Sequence, residues 1–359
     1  MDRHASLFTR RFFKNKGALP GLILIGTALL LALCAYLLAP DHSPNANRIV
    51  PEIGSRPPGF VIHMLLVNRE EGQAPHSLVR RMISGEENAY YYIPVTSWQV
   101  RADSIAYLKF MDDGVTERGS VARQQCPANP ITTEHFYLGT DKFGRDILSR
   151  LLIGTRISLE VGLIAVAISL SIGILLGAWA GFFGGWVDDV IMWGVNVIWS
   201  IPTLLLVFAL TLVLGKGFWQ VFIAVGLTMW VNVARLVRGQ VIAVKELEYI
   251  EAARALGYSS YRIIFKHILP NIMGPVMVIA AANFASAIVI EAGLSFLGVG
   301  VQPPQPSWGL MIKENYNFII THNPMLALAP GIAIMLLVLA FNLVGNALRD
   351  ALNVRGKVS

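Results

Sequence analysis

The sequence predicts an all-α polytopic membrane protein: six transmembrane helices, with a soluble β-containing insert between the first and the second. Three observations carry this. Of 359 residues, 54% are hydrophobic and only 14% charged, against about 25% charged in a soluble domain. Mean hydropathy is +0.56. Charge-free stretches occupy 17–40, 161–187, 190–215, 217–234, 267–290, 292–312 and 315–348, and a helix crossing a bilayer needs about 20 apolar residues. A soluble enzyme, a fibre, a disordered tail and a disulfide scaffold are all excluded.

The seven stretches reduce to six spans. Residues 292–312 hold Gly293, Gly298, Gly300, Pro303, Pro304 and Pro306, a density of breakers read here as an external loop. The spans are then 18–39, 160–181, 190–214, 218–235, 270–290 and 326–347. The first third of 315–348, with His322 and Pro324, reads as loop. The chain divides into an N-terminal segment with the first span (1–40), an insert (41–155) and a five-helix core (156–359).

The net charge of +6 is not a nucleic-acid signature, because of where the charges sit. Residues 41–160 hold 13 Lys/Arg and 14 Asp/Glu, and the rest of the chain 16 and 9. The surplus lies beside the spans, as topology signals do. One side carries Arg3, Arg10, Arg11, Lys14 and Lys16, six Lys/Arg in 235–266, and Arg349, Arg355 and Lys357; the other has Lys216, Lys313 and six near the ends of the insert. Both termini are thereby predicted to be cytoplasmic and the insert external. The N-terminal apolar run is too long for a signal-peptide core, and Leu33 is too large to precede a lipoprotein cysteine, so the first segment is expected to remain as a span. Cys34 and Cys126 form no disulfide framework.

Within the insert, Gly59–Val67, Tyr90–Val95 and Ile105–Phe110 read as strands, and Asp112-Asp113-Gly114 as a turn. Towards its end, Thr140 or Asp141 is expected to cap an interfacial helix with an apolar face of Phe143, Ile147, Leu148, Leu151 and Leu152, and with Asp146 and Arg150 paired on its polar face. Gly139-x4-Gly144 has the glycine spacing of a phosphate loop. Arg145 and Asp146 stand where Lys and Ser/Thr are required, so nucleotide binding is not predicted.

The connection 236–269 is the most specific feature. Residues 244–256 are expected to form a helix, Gly257 to take the left-handed conformation after its end, Ser259 or Ser260 to cap a second short helix, and Pro270 to open the fifth span. Small Ala252, Ala253 and Ala255 let a partner approach, with Glu251, Arg254 and Arg262 as polar contacts. The segment resembles the permease subunits of ABC importers, whose signature here is Glu-Ala-Ala-x3-Gly-x9-Ile-x-Leu-Pro. Glu251, Ala252, Ala253, Gly257, Leu269 and Pro270 match it; His267 departs at the Ile position.

Leu138-Gly-Thr-Asp…Gly-Arg-Asp…Ser-Arg, Gly181-Phe-Phe-Gly-Gly-Trp-Val-Asp188, Glu291-Ala-Gly-Leu-Ser-Phe-Leu-Gly298, Pro303-Pro-Gln-Pro-Ser-Trp-Gly309 and Phe341–Asp350 are similar to the C-type subunit of the dipeptide/oligopeptide/nickel importers. Asn346 replaces a common Asp. The resemblance is close over 135–355, loose over 1–40, and does not reach 41–134. It implies the ABC importer permease fold, a bacterial inner-membrane location and a transport subunit rather than an enzyme. The implied partners are a second, different permease, two ATPase subunits that use ATP and Mg²⁺, an external binding protein, and lipid. No cofactor is implied for this chain itself. The 236–269 loop would be the element that seats in an ATPase.

Inside the spans, Asn196, Ser200, Asn283 and Ser286 are the pathway candidates, since a peptide backbone calls for amide-like partners rather than fixed charge. Pro202 is expected to kink the third span. Glu291 is placed at a helix end reaching interfacial water, with a gate role as its alternative, and Trp308 in an external gate loop. Trp179, Trp186 and Trp219 fit an aromatic belt. A secondary transporter would show repeats and ion-coupling carboxylates. An enzyme would show His-Glu-x-x-His or paired intramembrane Asp. Neither pattern is found, and six spans with the 236–269 loop argue against a membrane-anchored sensor. No catalytic or metal site is predicted.

Overall fold

The computed structural model describes residues 2–69, 77–215, 217–319 and 323–352. Lys216, His322, Arg355, Lys357 and the Arg3 side chain lie outside the described residues.

Helix α1 (Asp2–Lys14) meets α2 (Ala18–Leu33) at 90°. The corner is closed by Asn15, whose Oδ1 accepts from Gly17 N at 2.8 Å. The first span was expected to run to residue 39; α2 instead stops before Cys34, and a single turn, α3 (Ala35–Leu38), follows. Strand β1 (Phe60–Asn68), helix α4 (Leu78–Ser84) and strands β2 (Tyr90–Val100), β3 (Ser104–Asp112), β4 (Val115–Ala122) and β5 (Ile131–Phe136) build the insert. The sheet is antiparallel with order β4-β3-β2-β1-β5. Three strands match the sequence reading. β4 and β5 were not anticipated, because Val115–Ala122 is polar and almost wholly exposed and Ile131–Phe136 is short. Gly114, at φ +79°, turns β3 into β4, and Arg56 holds the turn through Asp112 (2.7 Å) and Asp113 (2.8 Å). Met64 and Leu65, adjacent on β1, are both buried in different clusters, so both faces of the central strand are covered.

The segment after β5 departs from expectation. No helix begins at Thr140 or Asp141. The chain forms a tight loop, and α5 runs unbroken from Ile147 to Phe183, 37 residues. Asp146 is its cap, accepting from Ser149 N at 2.8 Å. Phe143 lies outside the helix, and there is no separate interfacial helix, because nothing between Ile147 and Phe183 interrupts the backbone ladder. At 1.5 Å per residue it is about 55 Å long, more than a bilayer core requires.

The glycine pair that resembles a phosphate loop has a different cause. Gly139 (φ +81°) and Gly144 (φ +73°) are both left-handed, and a Cβ on either would strike the carbonyl oxygen of Arg56 or Val50 respectively. The spacing serves close backbone packing.

Next come α6 (Gly185–Trp199) and α7 (Thr203–Leu214), which bend by 92° at a break ending in Pro202. The predicted kink is thus a corner. Helix α8 (Phe218–Lys245) continues ten residues past the predicted span and carries Arg235 and Arg238 on a regular helix. After α9 (Glu248–Ala255) and α10 (Ser260–Arg262), α11 (Leu269–Leu297) also overruns its prediction. Residues 292–297 remain helical because a lone glycine costs only about 1 kcal/mol in a helix. The true stop is Gly298 at φ +85°. Helix α12 (Trp308–Asn315), capped by Ser307, lies inside the stretch expected to be loop, and α13 (Met325–Leu352) is the last helix.

Among the described residues, four helices are long and apolar enough to cross a membrane, or up to six if each bent pair is one span. The chain forms two compact units: Met1–Ala28 with Ser158–Gln302 and Ile334–Ser359, and Leu29–Ile157 with Pro303–Ala333. In the first, Gly173, Gly177 and Gly181 of α5 form a ridge against α8. A Cβ on each would lie within 2.8 Å of Val233, the Ala234 oxygen or the Arg238 oxygen. Small residues every fourth position let two membrane helices meet backbone to backbone.

Candidate functional site

The connection between α8 and α11 begins with a break at Glu246 and Leu247, so the predicted helix over 244–256 is in fact the end of α8 followed by α9. Apolar spacing orients α9: Ile250 and Ala253 are buried in a cluster with Val237, Val241, Ile263, Ile264, Ile268 and Ile272. Ala253 therefore anchors the loop to its own chain and does not face a partner, a correction to the sequence reading. Glu251, Ala252, Arg254 and Ala255 are exposed on the other side. The Arg254 guanidinium lies over Phe182 (5.3 Å) and that of Arg262 over Tyr258 (5.1 Å).

Gly257 has φ +77°, and nothing lies within 4 Å of where a Cβ would sit. Its N–H donates to Arg254 O (2.9 Å), and Tyr258 N–H reaches back to Ala253 O (3.1 Å), closing the helix as a left-handed cap does. Ser259 Oγ accepts from Arg262 N at 3.4 Å, as expected of a cap. A π-helical turn over Ile263–Ile268 then turns three isoleucines inward, Leu269 is half-buried and Pro270 opens α11. Asn271 Nδ2 donates to Tyr249 OH (2.9 Å), tying α9 to α11. Composition alone does not reveal that Leu256 and Tyr261 are the most exposed large apolar side chains of this connection, at 73% and 71% exposed.

A cavity of about 450 Å³ lies among α6, α7, α8, α11 and α13. Asn283 and Ser286, two of the four pathway candidates, line it, together with Thr228, Asn232 and Asn342. No charged side chain lines it among the described residues. Asn283 is buried and donates to Ser169 Oγ at 3.5 Å. The other two candidates fall outside the lining. Asn196 accepts from Arg235 Nη2 at 3.1 Å, and Ser200 Oγ donates to its own helix at Val197 O. Asn232 and Asn342 are visible in the sequence as polar residues in spans, but only the packing brings them together.

Glu291 is 1% exposed and accepts from Ser295 Oγ at 2.6 Å; Ser295 Oγ in turn accepts from Val301 N at 3.0 Å. It is thus a buried brace for the turn after α11 and not a residue in interfacial water. Trp308 is 3% exposed, and its Nε1 donates to Leu151 O at 3.0 Å. Gly154 leaves the room for its ring. Beside it lies a buried ionic group. Asp141 Oδ2 accepts from Arg145 Nε (2.6 Å), and Arg145 Nη2 donates to Glu314 (2.8 Å), with Arg150 Nη2 3.6 Å from the same carboxylate. Asp146 and Arg150, expected to be an exposed pair, are both buried. Desolvation raises the Asp146 carboxyl above its ordinary value, opposed by the hydrogen bonds from Ser149.

Two family models match the chain: "Binding-protein-dependent transport system inner membrane component" over residues 173–357 and "N-terminal TM domain of oligopeptide transport permease C" over 5–58. Residues 59–172 lie between the two matches. The glutathione transport system permease protein GsiD of Pectobacterium atrosepticum is 43% identical over 221 residues, covering 62% of this chain and 73% of that protein. The oligopeptide transport system permease protein OppC of Bacillus subtilis is 41% identical over 224 residues, 62% of this chain and 73% of its own. A solved structure of the MetNI methionine ABC transporter in inward-facing conformations aligns with 20% identity and a TM-score of 0.46, over 56% of this chain and 96% of that one. With the first family model spanning more than half of it, the chain belongs to the binding-protein-dependent transport system inner membrane components, as a permease of the ABC importer type.

Proposed function

We propose that this permease forms half of a translocation pathway for dipeptides or oligopeptides, glutathione included, and that a second permease chain forms the other half. An external binding protein delivers the substrate and two ATPase subunits supply the work. Both termini and the α8–α11 connection are on the cytoplasmic side. The carrying observation for the cargo is the cavity: its lining is mostly apolar, and its polar groups are three asparagines, Asn232, Asn283 and Asn342, and the hydroxyls of Thr203, Thr228 and Ser286, with no charged side chain among the described residues. Amides both donate and accept, which is what a peptide backbone requires of its surroundings.

In this reading the loop from Glu248 to Pro270 transmits ATPase closure. Its inner face is locked by Ile250 and Ala253 while Glu251, Ala252, Arg254, Leu256, Tyr261 and Arg262 face out. A loop meant to push on a membrane helix has to be stiff, and the buried isoleucines with the Tyr249–Asn271 bond provide that. Leu256→Glu in the complete complex is expected to abolish retention of the ATPase subunits during purification, with the permease still inserted in the membrane. Gly257→Val places a β-branched residue in the left-handed region, at a cost of about 1–2 kcal/mol or more, and is expected to lower ATP-driven peptide uptake at least about tenfold. A wild-type protein that retains no ATPase, or a Gly257→Val chain with undiminished uptake, contradicts the reading.

A further inference from the structure

Arg235 is a cation placed beside a neutral cavity. It follows Asn232 by three residues and Val231 by four on α8, so all three share a helix face, and both neighbours line the cavity. Its guanidinium sits 4.1 Å from the ring centroid of Trp199, which also lines the cavity. One N–H is used on a neutral partner, Asn196 Oδ1. Among the described residues Arg235 has no carboxylate partner. Arg238, one turn further along α8, shows what a neutralised arginine looks like here: its Nε and Nη2 grip both oxygens of Asp188, each at 2.5 Å.

The contrast matters energetically. A charge at the end of a span is tolerated where it reaches interfacial water, is paired or serves the pathway; Arg238 is paired with Asp188, whereas Arg235 is half-buried with only a neutral partner. A guanidinium has five N–H donors in a planar fork that fits a carboxylate with two parallel bonds. The face of the Trp199 ring, 4.1 Å from the guanidinium carbon, holds the cation in place, and the single bond to Asn196 leaves donors open. The result is a half-buried guanidinium with no carboxylate partner among the described residues, beside a mostly apolar cavity whose polar groups are amides and hydroxyls.

We infer that Arg235 recognises the terminal carboxylate of the transported solute, while the cavity amides meet its backbone. This rests on the peptide reading above and deepens it: the cargo is a small peptide with a free carboxyl terminus, and Arg235 is a specificity-determining residue. The amide of Asn196 holds the guanidinium in place until the carboxylate arrives.

The test is uptake of Ala-Ala and of its C-terminal amide into proteoliposomes holding the complete complex, with its binding protein and ATP. Arg235→Gln, which keeps a hydrogen-bonding group but no charge, is expected to lower the ratio of acid to amide uptake about tenfold, the usual scale for losing a charge-assisted hydrogen bond. Arg235→Lys is expected to bring the ratio back to within about threefold of wild type, since a point charge still attracts a carboxylate. If the binding protein refuses the amide, the same ratio is read by saturation-transfer NMR of both peptides on the purified complex alone. A purely structural or topological arginine would lower both signals together in Arg235→Gln and leave the ratio unchanged, and that result overturns the assignment. A wild-type complex that neither takes up nor binds either peptide overturns the peptide reading itself and this inference with it.

Discussion

Asp141→Ala will destabilise the chain by about 3–5 kcal/mol, the usual loss when one partner is removed from a buried ionic group. One carboxylate does three jobs. Oδ1 accepts from the N–H groups of Phe143 (2.9 Å) and Arg145 (3.0 Å), which shapes the loop. Oδ2 accepts from Arg145 Nε at 2.6 Å and lies 3.9 Å from Arg150 Nε. Both arginines are almost fully buried, Arg150 at 1% exposed; Glu314 is a further counter-charge for both, and Asp41 for Arg150. Without Asp141, two guanidiniums lose the carboxylate that directly grips Arg145 and are left with Glu314 and the more distant Asp41, at the point where α12 is held. Asp141→Asn keeps acceptors for the backbone N–H groups and should lose less. Glu314→Gln should lose least, since Glu314 is the more exposed carboxylate. Thermal unfolding of the full chain in nanodiscs ranks the three. Equal melting temperatures for wild type and Asp141→Ala would remove the ionic group from any account of this fold.

That interaction also marks the limit of what the sequence can show. Asp141, Arg145 and Asp146 are legible as a family-like motif and as a helix start, yet the helix starts later than the sequence suggests. A cap side chain is recognised by the residues just after it, and here Thr140, Asp141 and Asp146 all qualify. The choice of Asp146 is made by long-range packing: Gly144 against Val50, and Arg145 reaching Glu314, 169 residues away. Gly257 is legible because its reason is local: a helix end needs a left-handed residue, and the hydrogen bonds that require it come from its own preceding turn.

Burial is the other dividing line. Glu251, Ala252 and Ala253 are consecutive and chemically alike in their fit to a helix, yet Ala253 is buried and its two neighbours are exposed. Only the phase of α9 against the isoleucines of the π-helical turn decides this. The same holds for the polar residues in spans. All of Asn196, Asn232, Asn283 and Asn342 are visible in the sequence, but which of them share a cavity depends on a 92° corner at Pro202 that the proline announces without fixing its angle. Membership of the family is legible because it is written in short motifs. The β4 strand is not, since an exposed edge strand carries little apolar pattern to read.

Gly177→Leu should be the most damaging single substitution in the membrane helices, and for a reason that also separates folding from coupling. Lipid tails are as apolar as leucine, so helices in a bilayer gain little by hiding apolar surface from it; they associate through close packing. At Gly177 a Cβ would lie 2.5 Å from the Ala234 oxygen and 3.0 Å from its Cα. Those are backbone atoms of α8, which cannot rotate away as a side chain can. Overpacking ordinarily costs about 1–3 kcal/mol, and a clash with backbone on a continuous ridge belongs at or above the upper end. Gly194→Leu on α6 is the control. Nothing lies within 4 Å of a Cβ there, so the change should stay within about 0.5 kcal/mol. Because α8 carries Asn232 and Arg235 and leads directly into α9, displacing it moves the cavity lining and the connecting loop together. Uptake and melting temperature should therefore fall in parallel in Gly177→Leu. In Gly257→Val the strain of about 1–2 kcal/mol is confined to an exposed cap, so uptake should fall far more than the small drop in melting temperature accounts for. If both variants lose uptake and stability in the same proportion, the loop acts only by supporting the fold, and its role in transmitting ATPase closure fails.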